Sequence, residues 1–513
     1  MTPDRVRIRL EPLAVELEVP RGGSLVAGLA AQGIEFPCGG IGECGGCQVR
    51  VLAGSLPVTA ADAEILAPDR LARGWRLACQ ARPAQPLVLE CGQWHMEILS
   101  DSAASAPETR SNAAKIAVDL GTTTIAAQLI DAVSGDILGV ETMLNPQTAF
   151  GSDVMSRIRA ALEGRDLTTP IRAALGQLVA RLASGRASQV SGVLLVGNTV
   201  MHHLFCGLSV EPLSHVPFAS PHLAEQRFTA RELDWTLPAD CTVRFARCIG
   251  GFVGSDILAG IVAADIACRP QLTALVDLGT NGEIAIGNRD GILCASTAAG
   301  PAFEAGSIRM GMRAVTGAIA YVALAGNDLR TTVIGDVPPR GICGSGLVDA
   351  VAAGLRTGAI LSGGRVNNGN KAFPVAPPVV LYQSDIRELQ LAKGAIAAGF
   401  RLVLKRLGAS MRDLAAVHLA GAFGNYVQID SALRIGLLEM PRSVIHAAGN
   451  TALRGAKKML LLPDCASLLP RLQHISLAAE PGFQDEFADC MTFPDRNFSA
   501  TAAAGSHLPK QPG

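Results

Sequence analysis

The chain has 513 residues, with 49% hydrophobic and 4% aromatic side chains, and its length exceeds what one hydrophobic core usually supports. Its formal net charge of -1, from 44 basic and 45 acidic side chains, gives no electrostatic footprint for nucleic acid and no basic patch for a membrane surface. We therefore expect several domains whose partners are small molecules and other proteins.

The sequence lacks the patterns of a targeting segment or a membrane span. Its start alternates charged and apolar side chains and does not form the apolar stretch of a secretory signal. No uncharged apolar run reaches about 18 residues, the length that a membrane span requires. These features predict a cytoplasmic protein, in which most of the 13 cysteines are buried as small hydrophobic residues.

Residues 1–100 have the pattern of a small α+β domain. Apolar residues alternate on both sides of Glu11 and Pro12, which predicts a β-hairpin, and Ser24 begins a helical pattern. Further strands are predicted at 48–52, 76–81 and 87–91, with a short helix at 60–66. This order of elements fits a β-grasp fold.

Four cysteines in this domain suggest a metal centre. Cys38, Cys44 and Cys47 share a loop in which five of ten residues are glycine, and Cys79 follows later. Four thiolates can hold one inorganic cluster, and glycine lets backbone N–H groups approach its sulfur. Zinc is the alternative, although structural zinc usually uses two close ligand pairs. The loop resembles that of [2Fe–2S] ferredoxins, with a first gap similar to the adrenodoxin type, and Cys91 is interpreted as a core thiol.

Residues 101–114 are interpreted as a flexible linker. They lack apolar periodicity and are rich in alanine and serine. A linker of this length has a typical end-to-end distance of about 20 Å. The first domain could then move while staying near the rest of the chain.

An apolar strand, a tight turn and a second strand occur twice, at 115–131 and at 274–286. Both copies contain Asp-Leu-Gly-Thr, beginning at Asp119 and at Asp277. The duplication predicts two phosphate-binding hairpins, because glycine permits the turn, amides and hydroxyls meet phosphate oxygens, and aspartate can hold Mg²⁺ directly or through water. The candidate nucleotide contacts in these hairpins are Gly121, Thr122, Thr123, Gly279, Thr280, Asn281 and Gly282.

Two further glycine-rich turns fit nucleotide binding. The segment 417–427 is an apolar strand followed by a turn with Gly421 and Gly424, which could face an adenosine. Gly344 and Gly346 lie where another turn enters a helix, so free amide groups there could meet an anion.

Asp256 lies near the start of a predicted helix, and two interpretations stay open. The helix dipole alone favours an acid there. Alternatively, the carboxylate orients the attacking water or Mg²⁺. Zinc binding by a group of histidines is not favoured, because adjacent histidines on a helix point about 100° apart. These histidines are His202, His203, His215 and His222.

The two hairpins and the adenosine turn, in this order, resemble the actin, Hsp70 and sugar-kinase superfamily. The resemblance implies a two-lobed α/β ATPase of the ASKHA type, with an RNase H-like fold. We divide this part of the chain into a middle domain at 115–190, which carries the first hairpin, a C-terminal ATPase domain at 191–495 and a disordered tail at 496–513.

The segments 145–147 and 151–158 complete a more specific resemblance, to the reductive activators of corrinoid proteins. In that family a [2Fe–2S] cluster passes one electron to a cobalt(II) corrinoid, which restores the methyl-accepting cobalt(I) state, and ATP hydrolysis accompanies the step. The resemblance implies a corrinoid protein of a methyltransferase system and an upstream electron donor as partners, and it leaves a homodimer open. Asp119, Asp256 and Asp277 are the catalytic candidates, with ATP and Mg²⁺ as cofactors beside the cluster.

Two other functions stay open at the level of sequence. The chain could be a ferredoxin-type electron carrier whose second part binds nucleotide without turnover. It could also be a small-molecule kinase that carries a redox sensor. ATP hydrolysis in the presence of the partner argues against the first function, and phosphoryl transfer to a metabolite would support the second.

Overall fold

The computed structural model describes residues 4–11, 15–30, 32, 34, 42, 47–91, 113–151, 153–279, 281–314, 317–326, 328–334, 337–367, 369, 371–424, 426–462 and 471–495. The predicted linker, apart from its last two residues, and the predicted tail at 496–513 lie outside these ranges. Two compact units result: Met1–Asp265 with Gly449–Pro470, and Ile266–Ala448 with Arg471–Gly513.

The N-terminal part of the first unit forms a five-stranded sheet with three short helices. Its elements are β1 (Arg5–Glu11), β2 (Val15–Pro20), α1 (Val26–Ala30), β3 (Gln48–Ala53), α2 (Ala60–Ile65), α3 (Pro68–Ala72), β4 (Trp75–Leu77) and β5 (Leu87–Cys91). The strand order is β2-β1-β5-β3-β4, and β1 and β5 are parallel. The inward-facing side chains of Ile8, Leu77 and Leu89 are fully buried. This arrangement confirms the predicted β-grasp fold.

The rest of the first unit is built on a six-stranded sheet. Its elements are β6 (Ala114–Leu120), β7 (Thr124–Asp131), β8 (Ile137–Leu144), α4 (Val154–Leu162), α5 (Thr168–Leu182), β9 (Val190–Val196), α6 (Thr199–Cys206), β10 (Gln226–Thr229), β11 (Thr242–Phe245) and α7 (Ser255–Ala263). The strand order is β10-β11-β9-β6-β7-β8, with β9 parallel to both β6 and β11. The sheet therefore contains strands from both sides of residue 190. The domain boundary predicted at that residue stays a prediction.

The second unit also contains a six-stranded sheet. Its elements are β12 (Leu272–Leu278), β13 (Gly282–Asn288), β14 (Gly291–Thr297), β15 (Ala318–Ala325), β16 (Asp328–Val333), β17 (Gly341–Ile342), α8 (Gly344–Thr357), β18 (Ala372–Ala376), β19 (Val379–Tyr382), α9 (Gln383–Arg406), β20 (Leu414–Ala420), α10 (Gly421–Gly424), α11 (Ile429–Arg434) and β21 (Ile445–Gly449). The chain then contributes α12 (Thr451–Leu461) to the first unit, and β22 (Leu472–His474) and α13 (Phe483–Met491) to the second. The strand order is β21-β20-β12-β13-β14-β22.

Short 3-10 helices complete both units, at Pro146–Phe150, Ala187–Gln189, Glu211–Leu213, Ile266–Cys268, Pro301–Glu304, Met411–Asp413, Arg442–Val444 and Leu477–Ala479. None of the helices in the described ranges has the length and hydropathy to cross a membrane.

The two large sheets repeat one arrangement around their central strands. β6 forms an antiparallel hairpin with β7 and a parallel pair with β9, and β12 has the same relation to β13 and β20. Apolar side chains of β6 and β12 are buried almost without interruption, as expected for strands covered on both faces. The sequence duplication therefore corresponds to a structural repeat.

Candidate functional site

The first Asp-Leu-Gly-Thr segment forms the turn between β6 and β7. Asp119 is level with Val196 of β9, so the turn lies where two parallel strands end, the edge at which α/β sheets commonly bind ligands. A Cβ atom on Gly121 would lie 2.4 Å from the carbonyl oxygen of Thr124, so the turn excludes any larger residue. The Thr122 hydroxyl accepts a 2.9 Å hydrogen bond from Asn198 Nδ2, which leaves its own proton available to donate.

Asp119 is half-buried beside the start of α12. Burial raises the pKa of its carboxyl group to about 6, while a 2.8 Å hydrogen bond from Asn450 Nδ2 acts in the opposite direction. Asn450 also caps α12, because its Oδ1 accepts a hydrogen bond from the Leu453 amide. The sequence contains a helix-capping signal at Asn450, but nothing in it indicates the partner 331 positions away.

Asp256 lies in the first turn of α7, and this turn is fixed against the end of β9. The amides of Ser255 and Asp256 both donate to the Gly197 carbonyl oxygen, at 2.9 and 3.3 Å. A Cβ atom on Gly254 would lie 2.4 Å from the Asn198 Cα, so the two segments are in close contact. The structure thus brings the start of α7 next to Asn198, the residue that contacts Thr122. A role for Asp256 in orienting water or Mg²⁺ stays a prediction.

The second hairpin is brought together with the predicted adenosine turn. Asp277 lies level with Ala420 of the parallel strand β20. Gly421 follows with a φ of +82°, and a Cβ atom on it would lie 2.3 Å from Asp277 Oδ1. Across the hairpin, Asp277 is paired directly with Glu283, a second carboxylate that sequence reasoning did not single out. Both side chains lie on the same face of the sheet.

Several predicted nucleotide contacts in the second unit have clear packing roles. A Cβ atom on Gly282 would lie 2.5 Å from the side chain of Ile396 in α9. One on Gly346 would lie 2.2 Å from the Ile319 carbonyl oxygen. Gly279 donates a 3.1 Å hydrogen bond to the Asn281 carbonyl, and Thr280 lies outside the described residues. Nucleotide contact at these positions stays a prediction.

The start of α8 packs against two stacked aromatic side chains, one of which belongs to the adenosine turn. Phe303 and Phe423 stack with ring centroids 4.6 Å apart. A Cβ atom on Gly344 would lie 1.8 Å from the Phe303 carbonyl oxygen and 3.2 Å from the Phe423 ring. The structure therefore gathers Gly344 and the Gly421–Gly424 turn in one region of the second unit.

Two of the four predicted cluster cysteines, Cys47 and Cys79, are described, and both side chains are buried. The Ala78 amide donates a 3.0 Å hydrogen bond to the Cys47 carbonyl, which holds the two segments together. Gln80 Nε2 lies 3.6 Å from the Cys79 sulfur and can donate to it. A Cβ atom on Gly42, whose φ is +92°, would lie 2.9 Å from that same Gln80 nitrogen.

This donor set fits an iron–sulfur cluster. Buried thiols and an amide donor 3.6 Å from one sulfur suit such a centre, whose sulfur atoms accept hydrogen bonds. Cys38 and Cys44 lie outside the part of the chain that the structure describes. Cys91 is fully buried in β5, and burial raises its pKa to about 12, so this thiol stays protonated.

Comparison with known families divides the chain into three matched parts. Residues 8–84 match the 2Fe-2S iron-sulfur cluster binding domain, residues 114–269 match the RACo middle region, and residues 271–504 match the C-terminal domain of RACo, the ASKHA domain.

Three known proteins are similar to this chain over most of its length. The chain is 36% identical to the corrinoid activation enzyme RamQ of Eubacterium limosum, over 72% of this chain and 69% of RamQ. It is 27% identical to the Co(II) methylated amine-specific corrinoid protein reductase of Methanosarcina barkeri, over 72% of this chain and 75% of that protein. The solved structure of a reductive activator for a corrinoid, iron-sulfur protein matches with a TM-score of 0.67 and 25% identity, over 96% of this chain and 99% of the other.

The fold and sites define an iron–sulfur protein that carries a nucleotide-binding ASKHA domain. Within that class, the chain belongs to the family of reductive corrinoid activators, as its sequence motifs predicted.

Proposed function

We propose that this chain reduces the cobalt(II) of a corrinoid protein to cobalt(I), in an ATP-dependent step that returns a methyltransferase system to its methyl-accepting state. The observation that carries the proposal is the presence, in one chain, of a [2Fe–2S] domain and both RACo domains. The printed names of two relatives, a corrinoid activation enzyme and a corrinoid protein reductase, support it. The partners are then the corrinoid protein and an upstream electron donor.

The N-terminal domain provides the electron-transfer site. Cys38, Cys44, Cys47 and Cys79 would hold a [2Fe–2S] cluster, which supplies one electron at a time when bound. Burial of Cys47 and Cys79 keeps water away from the sulfur atoms, and the Gln80 amide stabilises negative charge on Cys79.

Each hairpin supplies groups that can bind nucleotide. In the first unit, Asp119 would hold Mg²⁺ directly or through water, while the amides and hydroxyls of residues 121–123 bind phosphate oxygens. Asp256 would orient the attacking water. In the second unit, Asp277 and the 279–282 turn would bind phosphate, and the Gly421–Gly424 turn would bind adenosine.

ATP is needed because reduction of cobalt(II) to cobalt(I) requires a very low potential. For one electron, about 59 mV of mismatch costs a factor of ten in the equilibrium. Coupling of about 1–3 kcal/mol between nucleotide state and partner binding would shift that equilibrium by about 40–130 mV. The nucleotide therefore supplies part of the driving force for cobalt reduction when the ATP-bound state changes the environment of the partner's cobalt.

The test uses the full chain with its cluster reduced, mixed with a cobalt(II) corrinoid protein. The cobalt(I) absorption should rise with ATP and Mg²⁺, and much less without nucleotide or without Mg²⁺. Equal cobalt(I) formation with and without ATP would contradict the coupling. Absence of ATP hydrolysis with the partner present would favour a nucleotide-responsive electron carrier instead.

A further inference from the structure

One face of the first phosphate turn contacts a segment of the same unit, the described residues of 145–151 and 153–157. Three consecutive carbonyl groups of the turn each accept a hydrogen bond from it. Asn145 Nδ2 donates to the Gly121 carbonyl at 2.9 Å, and the Asn145 backbone amide donates to the Thr123 carbonyl at 2.8 Å. Between them, Arg157 Nη2 donates to the Thr122 carbonyl at 2.5 Å.

These three bonds determine which side of the turn presents its amides. In a trans peptide unit, the C=O and the following N–H point in opposite directions. With the carbonyls of residues 121–123 directed at Asn145 and Arg157, the amides that follow them point away from this segment. Consecutive amides presented on one side form the concave anion-binding arrangement found in phosphate sites.

Arg157 adds a positive charge to this arrangement. Its side chain is fully buried, and burial lowers its pKa only to about 10, so it stays charged at neutral pH. Its other hydrogen bonds reach the Gly151 carbonyl at 3.1 Å, Gln147 Oε1 at 3.5 Å and Met201 Sδ at 3.4 Å. All of these acceptors are neutral.

Within the described part of the chain, Arg157 forms no ion pair. Asp153 is the carboxylate that influences it electrostatically, and Asp153 is engaged in capping α4 through Ser156. A buried cation that lacks a bonded counter-ion carries a desolvation cost. An anion bound on the far side of the turn would offset that cost.

We propose that Arg157 and Asn145 are positioning residues for nucleotide phosphate, and that Arg157 makes the first unit favour nucleotides with more phosphate charge. Asn145 and Arg157 hold the carbonyls of residues 121–123 away from the phosphates, and the guanidinium lies behind the turn without contacting the nucleotide. This inference rests on the proposed nucleotide-binding role of the first hairpin.

The test compares affinities of the full chain for ATP, ADP and AMP by calorimetry. Arg157→Met should lower ATP affinity by about tenfold or more, ADP affinity less, and AMP affinity little, because the lost attraction scales with phosphate charge. The matched control is Arg159→Met, on the exposed face of the same helix, which should leave all three affinities unchanged. Arg157→Lys keeps the charge but replaces the two guanidinium nitrogens that reach the Gly151 and Thr122 carbonyls with a single nitrogen on a flexible chain. Its ATP affinity should therefore fall between those of the wild type and Arg157→Met.

Loss of all three affinities by the same factor in Arg157→Met would overturn the charge-dependent role, as would unchanged ATP affinity. The cluster absorption spectrum and the midpoint of thermal unfolding report whether each variant folds. Should Arg157→Met fail to fold, Arg157→Lys carries the test, and a wild-type ATP affinity in that variant would overturn the positioning role. A wild-type chain that binds no ATP would instead contradict the proposed function itself.

Discussion

Asn450 donates a 2.8 Å hydrogen bond to Asp119 and caps α12 with the other end of the same amide. At the opposite end of the helix, Lys115 Nζ donates to the Leu460 carbonyl at 2.9 Å. Lys115 and Asp119 lie near the start and the end of the same strand, β6, so α12 is fixed along that strand at both of its ends. The position of a candidate catalytic carboxylate therefore depends on a helix contributed by a distant part of the chain.

Replacing Asn450 separates its two functions. Asn450→Ser keeps a helix cap but cannot reach Asp119, whereas Asn450→Ala loses both contacts. A hydrogen bond to a charged group contributes about 1.5–3 kcal/mol, so both variants should hydrolyse ATP about tenfold to a hundredfold more slowly. Only Asn450→Ala should also show a lower midpoint of thermal unfolding. Wild-type hydrolysis by Asn450→Ser would remove the positioning role and leave the cap alone.

The two aspartates of the repeated hairpins should be needed for hydrolysis and not for the cluster. Asp119→Asn and Asp277→Asn should each lower ATP hydrolysis by about a hundredfold or more, because each removes a charge that would hold Mg²⁺ or order the reacting groups. The visible spectrum of the cluster should stay unchanged. Asp290→Asn, an exposed substitution in the second unit, is the control. A variant with full hydrolysis would remove its aspartate from the site.

Changes in the cluster loop should have the converse effect. Cys47→Ser should lose or rearrange the cluster, seen as a changed visible absorption, while ATP affinity stays at its wild-type value. Cys91→Ala should keep the cluster, because that thiol is buried in β5 and protonated. If Cys47→Ser also abolished ATP binding, the division into an electron-transfer part and a nucleotide-binding part would be wrong.

Gln80 should influence the reduction potential of the cluster. Its amide lies 3.6 Å from the Cys79 sulfur, and a hydrogen bond to sulfur stabilises the more negative, reduced state. Gln80→Leu should therefore have a lower midpoint potential, measured by spectroelectrochemistry, and about 59 mV would correspond to a tenfold change in the reduction equilibrium. Gln85→Leu, at an exposed position nearby, should leave the potential unchanged. An unaltered potential in Gln80→Leu would mean that the contact is only structural.

The sequence predicts the elements of this protein better than their distant contacts. The alternation of apolar and polar residues predicts β1, β2 and β5 closely, because this pattern acts over a few residues. The strand predicted at 76–81 is shorter, since the Ala81 amide turns back to the Leu77 carbonyl and places Cys79 in a turn. The short helix α3, which begins at Pro68, was not predicted.

In the candidate site, too, the sequence predicts the local turns but not the contacts between distant residues. The Asp-Leu-Gly-Thr repeat reveals both hairpins, because the turn requires glycine within the motif itself. The motif that contains Asn145 and Arg157 is visible too, but its role is not, since it depends on carbonyls 24 and 35 positions earlier. Backbone carbonyls are present at every residue, so no sequence pattern identifies the particular ones that a side chain will contact.

Buried histidine should make the first unit less stable in acid. His202 is fully buried, and desolvation lowers its pKa to about 4, with the neighbouring His203 acting in the same direction. As pH falls below about 6.5, His202 binds a proton in the unfolded chain but stays neutral in the folded chain. The free energy of unfolding therefore decreases until about pH 4. Between pH 7 and pH 4, wild type should lose about 3 kcal/mol more than His202→Gln.

Urea denaturation followed by tryptophan fluorescence measures this difference, since Trp235 lies in the core of the same unit. His215→Gln serves as the control substitution at an exposed histidine, because the His215 side chain is 58% exposed. Comparing variants with wild type cancels the contribution of other titrating groups, including Asp119, whose raised pKa acts in the opposite direction. Parallel pH profiles for His202→Gln and wild type would show that His202 takes up its proton equally in both states.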